Sequence, residues 1–398
     1  MKKILYFLAA LFAVSFSSRA NYWTQKADLP GQGRADATGF AIGTKGYIGT
    51  GYVAGYTKDW YEYNPSTNSW LQKADYGGAP IVEASAFVID SLGYVLPAPS
   101  GVDFWGFSPV TNIWTQKASF LGGARQAAVS WTINGKGYIC SGASSSLGAS
   151  MNDLWEYDPV LNMWTQKANL TGPARHYAAG FAIGNYGYIG TGTSSATGSL
   201  NDFWQWDQIN DSWAQKANFP AAPRFEGTGF SIGNSGYMGT GYIPALQSDM
   251  YRYDPATDTW TQVANYMGGV RVENVSFNIG NSGFLGTGWD GINFRSDFWE
   301  YHPDSTLGIE DFGLSNSDFT VYPNPFSSTA TVNLNSFLLQ TGHDTQFKIY
   351  NITGKELYVQ KINSHQFEIK RNNLKSGEYL ILIFNDGKKI ASKKIYII

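Results

Sequence analysis

Six tryptophans, Trp23, Trp70, Trp114, Trp164, Trp213 and Trp260, recur at spacings of 47, 44, 50, 49 and 47 residues, mostly within WTQKA or a near copy. Between them runs a second marker, an aspartate before a hydrophobic and aromatic stretch, at Asp59, Asp103, Asp153, Asp202, Asp249 and Asp297. A third marker is glycine followed by an aromatic: Gly46-Tyr47, Gly93-Tyr94, Gly137-Tyr138, Gly187-Tyr188, Gly236-Tyr237 and Gly283-Phe284. Each unit therefore reads as four short strands separated by turn residues, and a period near 47 fits four-stranded sheets arranged radially. One such sheet cannot bury both faces alone, so it needs a neighbour on each side.

The ends of the array predict closure. The sixth unit supplies three strands, ending at Tyr301-His302-Pro303, while the segment from Trp23 is an orphan fourth strand. Pairing the two completes the sixth sheet and hides the free edges. With 45 Gly, 25 Tyr, 24 Phe and 14 Trp against 15% charged residues, the composition is that of an all-β chain.

The unit resembles the kelch motif in four features: arginine at the start of the first strand, small residues after the second, Tyr-Asp-Pro after the third, and tryptophan in the fourth. The resemblance spans about residues 22–303 and implies a six-bladed kelch-type β-propeller. The units depart from the motif in having Gly-Thr-Gly in place of a Gly-Gly pair, and in Ile81 replacing arginine in the second unit.

Lys2 and Lys3, the apolar stretch Ile4 to Phe16, and Ser18 and Ala20 form a signal-peptide pattern over residues 1–20, with cleavage between Ala20 and Asn21. No later stretch approaches the ~20 apolar residues of a spanning helix, so the mature chain is expected to lack a transmembrane segment. Residues 304–318 read as a linker. From Phe319 the pattern changes to alternating strands with hairpin signals at Ile349–Lys355 and Asn385–Lys388, predicting a small Ig-like β-sandwich over 319–398.

That tail closely resembles the type A sorting domain of the type IX secretion system. The resemblance rests on Val321-Tyr322-Pro323-Asn324-Pro325-Phe326, the Ile349-to-Lys355 turn, Leu374-Lys375-Ser376-Gly377-Glu378-Tyr379 and the terminal Lys393-Lys394-Ile395-Tyr396-Ile397-Ile398. It implies export through the periplasm by that machinery to the outer-membrane surface or the medium. It also brings forward Asp90-Ser91-Leu92 and Asp304-Ser305-Thr306 as candidate O-glycosylation tripeptides.

Residues 21–317 hold 25 Asp and Glu against 15 Lys and Arg, a net charge of -10, whereas residues 318–398 hold 6 against 10, a net +4. An acidic module of this kind argues against nucleic acid as a partner. The single cysteine, Cys140, forbids an internal disulfide, and a monomer is expected.

Short turns follow the first and third strands, so the opposite face carries the long loops, Tyr52–Lys58, Ala143–Asn152, Thr193–Asn201, Tyr242–Ser248 and Trp289–Ser296. Rigid scaffolds present binding groups on such loops. There the rings of Tyr52, Tyr56, Tyr242, Trp289 and Phe294 are candidates for stacking on a sugar or anchoring a protein. On the same side lie Arg34, Arg125, Arg175 with His176, Arg224 and Arg271. Two residues after an arginine, and so expected on the same strand face, come Asp36, Glu226 and Glu273, with Glu83 in the unit that lacks arginine. Such a ring could hold a hydroxylated or anionic ligand through bidentate bonds. The favoured alternative makes each arginine structural, tying adjacent blades by bonding backbone carbonyls or a nearby carboxylate.

Catalysis finds less support. Galactose oxidase shares the kelch architecture, but its copper site needs a cysteine-linked tyrosine and paired histidines, while this array has only His176, His302 and Cys140. No metal, cofactor or catalytic set is expected, and the chain reads as a non-enzymatic module for an extracellular glycan or protein. A sialic-acid epimerase-like enzyme using the arginines and acids, and a structural or adhesive surface protein, are the alternatives.

Overall fold

The computed structural model describes residues 21–98, 101–144, 148–303, 319–334, 344–351, 355–371, 374–385 and 388–398. The signal-peptide segment, the linker and the tripeptide at Asp304 lie outside these residues. The chain divides into two compact units, one ending at Pro303 and one formed by the C-terminal region. No helix occurs among the described residues.

The first unit is six four-stranded antiparallel sheets, each ordered from first to fourth strand. In the first sheet these are Thr38–Ile42, Lys45–Gly49, Trp60–Asn64 and Ser69–Lys73. The last sheet takes Val275–Ile279, Ser282–Gly286 and Phe298–His302 from the end of the array and Tyr22–Gln25 from its beginning. Trp23 stands opposite Tyr301 there, so the predicted closure is the one observed. The first strands of successive sheets lie side by side around an axis, and the sixth returns to the first. They share no backbone ladder. Hydroxyls bridge them instead: Thr38 Oγ1 donates to the Ala84 carbonyl at 3.0 Å and Ser85 Oγ to that of Ala128 at 3.1 Å.

Two of the three sequence markers acquire physical reasons from this packing. Glycine precedes the aromatic because a ring of the neighbouring sheet lies on it: a Cβ on Gly93 would stand 2.0 Å from Phe40 Cζ, and one on Gly137 1.9 Å from Phe87. The alanine of WTQKA matters through its backbone. Each Trp Nε1 donates to the alanine carbonyl of the preceding unit, from Trp70 to Ala27, Trp114 to Ala74, Trp164 to Ala118, Trp213 to Ala168, Trp260 to Ala217, and finally Trp23 to Ala264. The same alanines donate their amides to Asn68, Asn112, Asn162, Asp211, Asp258 and, at the closure, Asn21. An outer belt of hydrogen bonds thus runs round the whole ring. Asn21, the expected first mature residue, completes it.

The second unit packs a three-stranded sheet, Phe319–Tyr322, Thr329–Leu334 and Gln366–Lys370, with a four-stranded one, Glu356–Lys361, Thr345–Asn351, Gly377–Asn385 and Lys388–Ile397. Alternate residues of both, including Val321, Val332, Phe347, Ile349, Ile381 and Ile395, fill one core.

Candidate functional site

The arginines occupy a different place from the one alternation predicts. Each is almost fully buried and turned into its own blade, where it forks onto the marker aspartate: Arg34 on Asp59, Arg125 on Asp153, Arg224 on Asp249 and Arg271 on Asp297, with Arg175 held by Asp202 at 2.6 Å. Each also donates to a carbonyl sixteen residues on, that of Thr50, Ser141, Thr191, Thr240 or Thr287. These latches lock the first strand of a blade to its second-to-third-strand loop. These bonds lie within each blade rather than between adjacent blades as expected, and the guanidinium groups do not line the axial cup.

The carboxylates part company with the arginines because the chain kinks between them. Asp36, Glu83, Ala127, Tyr177, Glu226 and Glu273, the six equivalent positions, all have φ between 52° and 58°. Left-handed backbone breaks the two-residue alternation, so these side chains point to the axis while the arginines point away. The conformation costs each non-glycine residue about 1–2 kcal/mol. It is held by a backbone ring in which Asp36 N donates to Glu273 O and Glu83 N to Asp36 O, both at 3.1 Å, and Tyr177 N to Ala127 O and Glu226 N to Tyr177 O, both at 3.0 Å.

The result is an axial cup of about 150 Å³ lined by these six residues together with Ala37, Ala84, Ala128, Ala178, Gly227 and Asn274. The latter residues also border a second axial space of about 230 Å³ between the inner strands. No Lys or Arg lines the cup. Burial first, then mutual repulsion, pushes Asp36 up to about 9, Glu226 to about 8 and Glu273 to about 7. Burial also raises Glu83, opposed by the Tyr177 hydroxyl that donates to its Oε1 at 2.5 Å. Tyr177 is itself pushed far above the ordinary phenol range, by burial and then by Glu83. No group of three or more His, Cys, Asp or Glu among the described residues is spaced to hold one metal ion.

The aromatic candidates stand at the same end. Single bridges join Ala35 to Tyr52, Phe225 to Tyr242 and Val272 to Trp289, each one residue before the cup position. Tyr56 is 51% exposed, Tyr242 39% and Phe294 37%. Tyr52 meets Tyr56 and Phe294 edge-on at 6.2 and 5.6 Å, and a second chain of rings runs from Tyr177 through Phe225 to Tyr242. Trp289 is half-buried and bridges Phe294. His176 is buried, bonded through Nδ1 to Ser150 Oγ at 2.9 Å, held neutral by burial, and absent from the cup wall.

Tyr177 and Asn274 belong to the cup but escape the sequence reading, which followed charge. Their signal was positional: both fall in register with Asp36 and Ala37 when the units are aligned on the arginine. Asp90 and Ser91 are exposed in a tight turn.

Residues 320–398 match the family described as the secretion system C-terminal sorting domain. The chain carries such a domain, and it is exported to the cell surface or secreted. Among solved structures the chain is similar to the one titled "Structure of YjhT", at 16% identity and a TM-score of 0.61, covering 69% of this chain and 95% of that one. This likeness shows a shared all-β propeller fold, and fold alone assigns no activity. No curated protein matches the chain.

Proposed function

We propose that the exported chain is a six-bladed kelch-type β-propeller that binds an extracellular glycan or protein at its long-loop end, without turnover, and that an Ig-like sorting domain delivers it. The observation that carries this reading is the pairing of the axial cup with exposed aromatic rings at one end of the ring of blades. Apart from the carboxyls, the donors of the cup are largely engaged. Backbone amide bonds close much of its ring, the Tyr177 hydroxyl is given to Glu83, and the Asn274 amide donates to Thr240 Oγ1 at 3.1 Å. What it offers a visitor is carboxyl oxygens as acceptors, together with the O–H of whichever carboxyls keep a proton, which suits the hydroxyls of a sugar or the N–H groups of a polypeptide. Flat rings beside it add stacking area at small entropic cost.

An enzyme acting on a sugar acid needs a cation facing the carboxylate, and the five first-strand arginines are committed to latches. The test is a glycan and extracellular-protein array probed with the mature chain and with a folded Tyr56→Ala/Phe294→Ala variant. The expected result is a ligand retained by the first and lost by the second. A ligand bound equally by both, or turnover of a sugar acid, would replace this reading.

A further inference from the structure

Resting on the binding-module reading, we infer that the axial cup receives the ammonium group of a lysine side chain presented by a basic protein partner, and that the incoming charge displaces protons shared among the cup carboxyls. The geometry gives three reasons. Asp36, Glu83, Glu226 and Glu273 face one cavity whose lining includes no cation. Two acceptor atoms of that wall, Oε2 of the same Glu83 and Oδ1 of Asn274, are closed to solvent and take no hydrogen bond within the protein. The propeller carries 22 acids against 15 bases over residues 21–303, which steers a basic partner toward it.

The shape selects the type of cation. Six positions surround an axis whose walls below are mostly Ala, Gly, Ser and Thr, with Val129, Val275 and Asn274, so the space is narrow and nearly radial. A compact ammonium with three rotatable donors on a thin four-carbon stem matches such a space better than a flat guanidinium fork. The rim rings Tyr52, Tyr56 and Phe294 can lie against the stem.

The proton exchange follows from what else faces the ring. Tyr177 donates to Glu83, Ala127 contributes nothing, His176 points elsewhere, and the arginines behind are already paired with Asp59, Asp153, Asp202, Asp249 and Asp297. With no Lys or Arg side chain facing it, the ring keeps protons near neutrality, in line with the raised values of Asp36, Glu226 and Glu273. A bound ammonium favours the ionised carboxylates, so protons leave to solvent as it enters. Affinity then rises with pH until the lysine itself deprotonates near its ordinary value of about 10.4.

The experiment is calorimetric titration of the full mature chain with a blocked Gly-Lys-Gly peptide and its norleucine and arginine counterparts. An N-acetylglucosamine oligomer serves as the glycan arm, and runs at pH 6 and pH 8 use two buffers of different ionisation heat. We expect the lysine peptide to bind at least about tenfold more tightly than norleucine, with proton release and an affinity about tenfold higher at pH 8 than at pH 6. Glu226→Gln should reduce both the affinity and the protons released, and carboxyl NMR titration of the unaltered protein reads the shared protons should that variant misfold. Equal binding of lysine and norleucine peptides, preference for arginine, or carboxyls titrating near 4 would each overturn the inference. Binding of the neutral oligomer without proton release would overturn it while leaving the binding module intact, whereas failure of every probe, together with a blank array, would remove both.

Discussion

Replacing Arg224 by alanine separates a latch from a ligand contact. Arg224 is 1% exposed, forks onto Asp249 through both terminal nitrogens, donates to the Thr240 carbonyl at 2.9 Å, and lies over the Phe219 ring at 4.9 Å. The substitution leaves a largely buried carboxylate without its cation and a buried carbonyl without its donor. Removing one partner of a buried pair costs about 3–5 kcal/mol. Asp249 keeps 17% of its side-chain exposure, so water recovers part of that and about 3 kcal/mol is expected. In a module of this size that is a fall in Tm of roughly 6–12 °C. Arg224→Lys keeps the charge but loses the fork, and should lie between. Thermal and urea unfolding followed by tryptophan fluorescence measure both variants, and a cycle with Asp249→Ala should show coupling of about 1–3 kcal/mol. A loss within 1 kcal/mol of zero would refute the latch, as would an affinity for ligand that falls in the fully folded variant.

Three further outcomes can be checked. Trp23→Ala should cost about 3–5 kcal/mol, because it removes a buried ring packed on Tyr266 and Tyr301 together with the closing bond to Ala264; unchanged unfolding would make the N-terminal strand peripheral. The cup carboxyls have folded values raised above their unfolded ones, so their contribution to stability is full below about pH 4 and is lost as pH rises through about 7 to 9. Unfolding temperature should therefore decline across that window, less steeply in Glu226→Gln, and identical slopes would contradict the shared ring. Deleting residues 319–398 should retain the chain in the periplasm, and normal export of that truncation would show that the sorting domain is dispensable.

Periodicity made the ring of six sheets and its closure legible, because the markers are the contacts themselves. The glycine before each aromatic is the seat of a neighbouring ring, and the alanine after each WTQK accepts the next tryptophan. The tail was legible through its motifs. The cup was legible only in its residue types. Alternation holds along a strand, but at Asp36 and its equivalents the backbone turns left-handed, which sequence spacing does not announce because Asp, Glu, Ala and Tyr all occupy the position. The same turn converted a supposed ring of mixed charge into a ring of acids backed by buried arginines. The second blade supplied the missing hint: where Ile81 replaces the arginine, Asp103 is exposed and held by Gln116 at 3.3 Å, and Trp105 Nε1 is buried without a partner. Arginine and marker aspartate are thus one device, and the carboxylate two residues on is another.

The location of ligand binding is the claim on which the rest depends, and hydrogen exchange read by mass spectrometry tests it directly on the mature chain with and without its array-identified ligand. Protection is predicted in residues 34–37, 81–84, 224–227 and 271–274 and in the loops 52–58 and 289–296, which surround the cup and carry its aromatic rim. Protection confined instead to the turns at 65–68, 109–112 and 159–162, between third and fourth strands at the opposite end of the blades, would contradict the account.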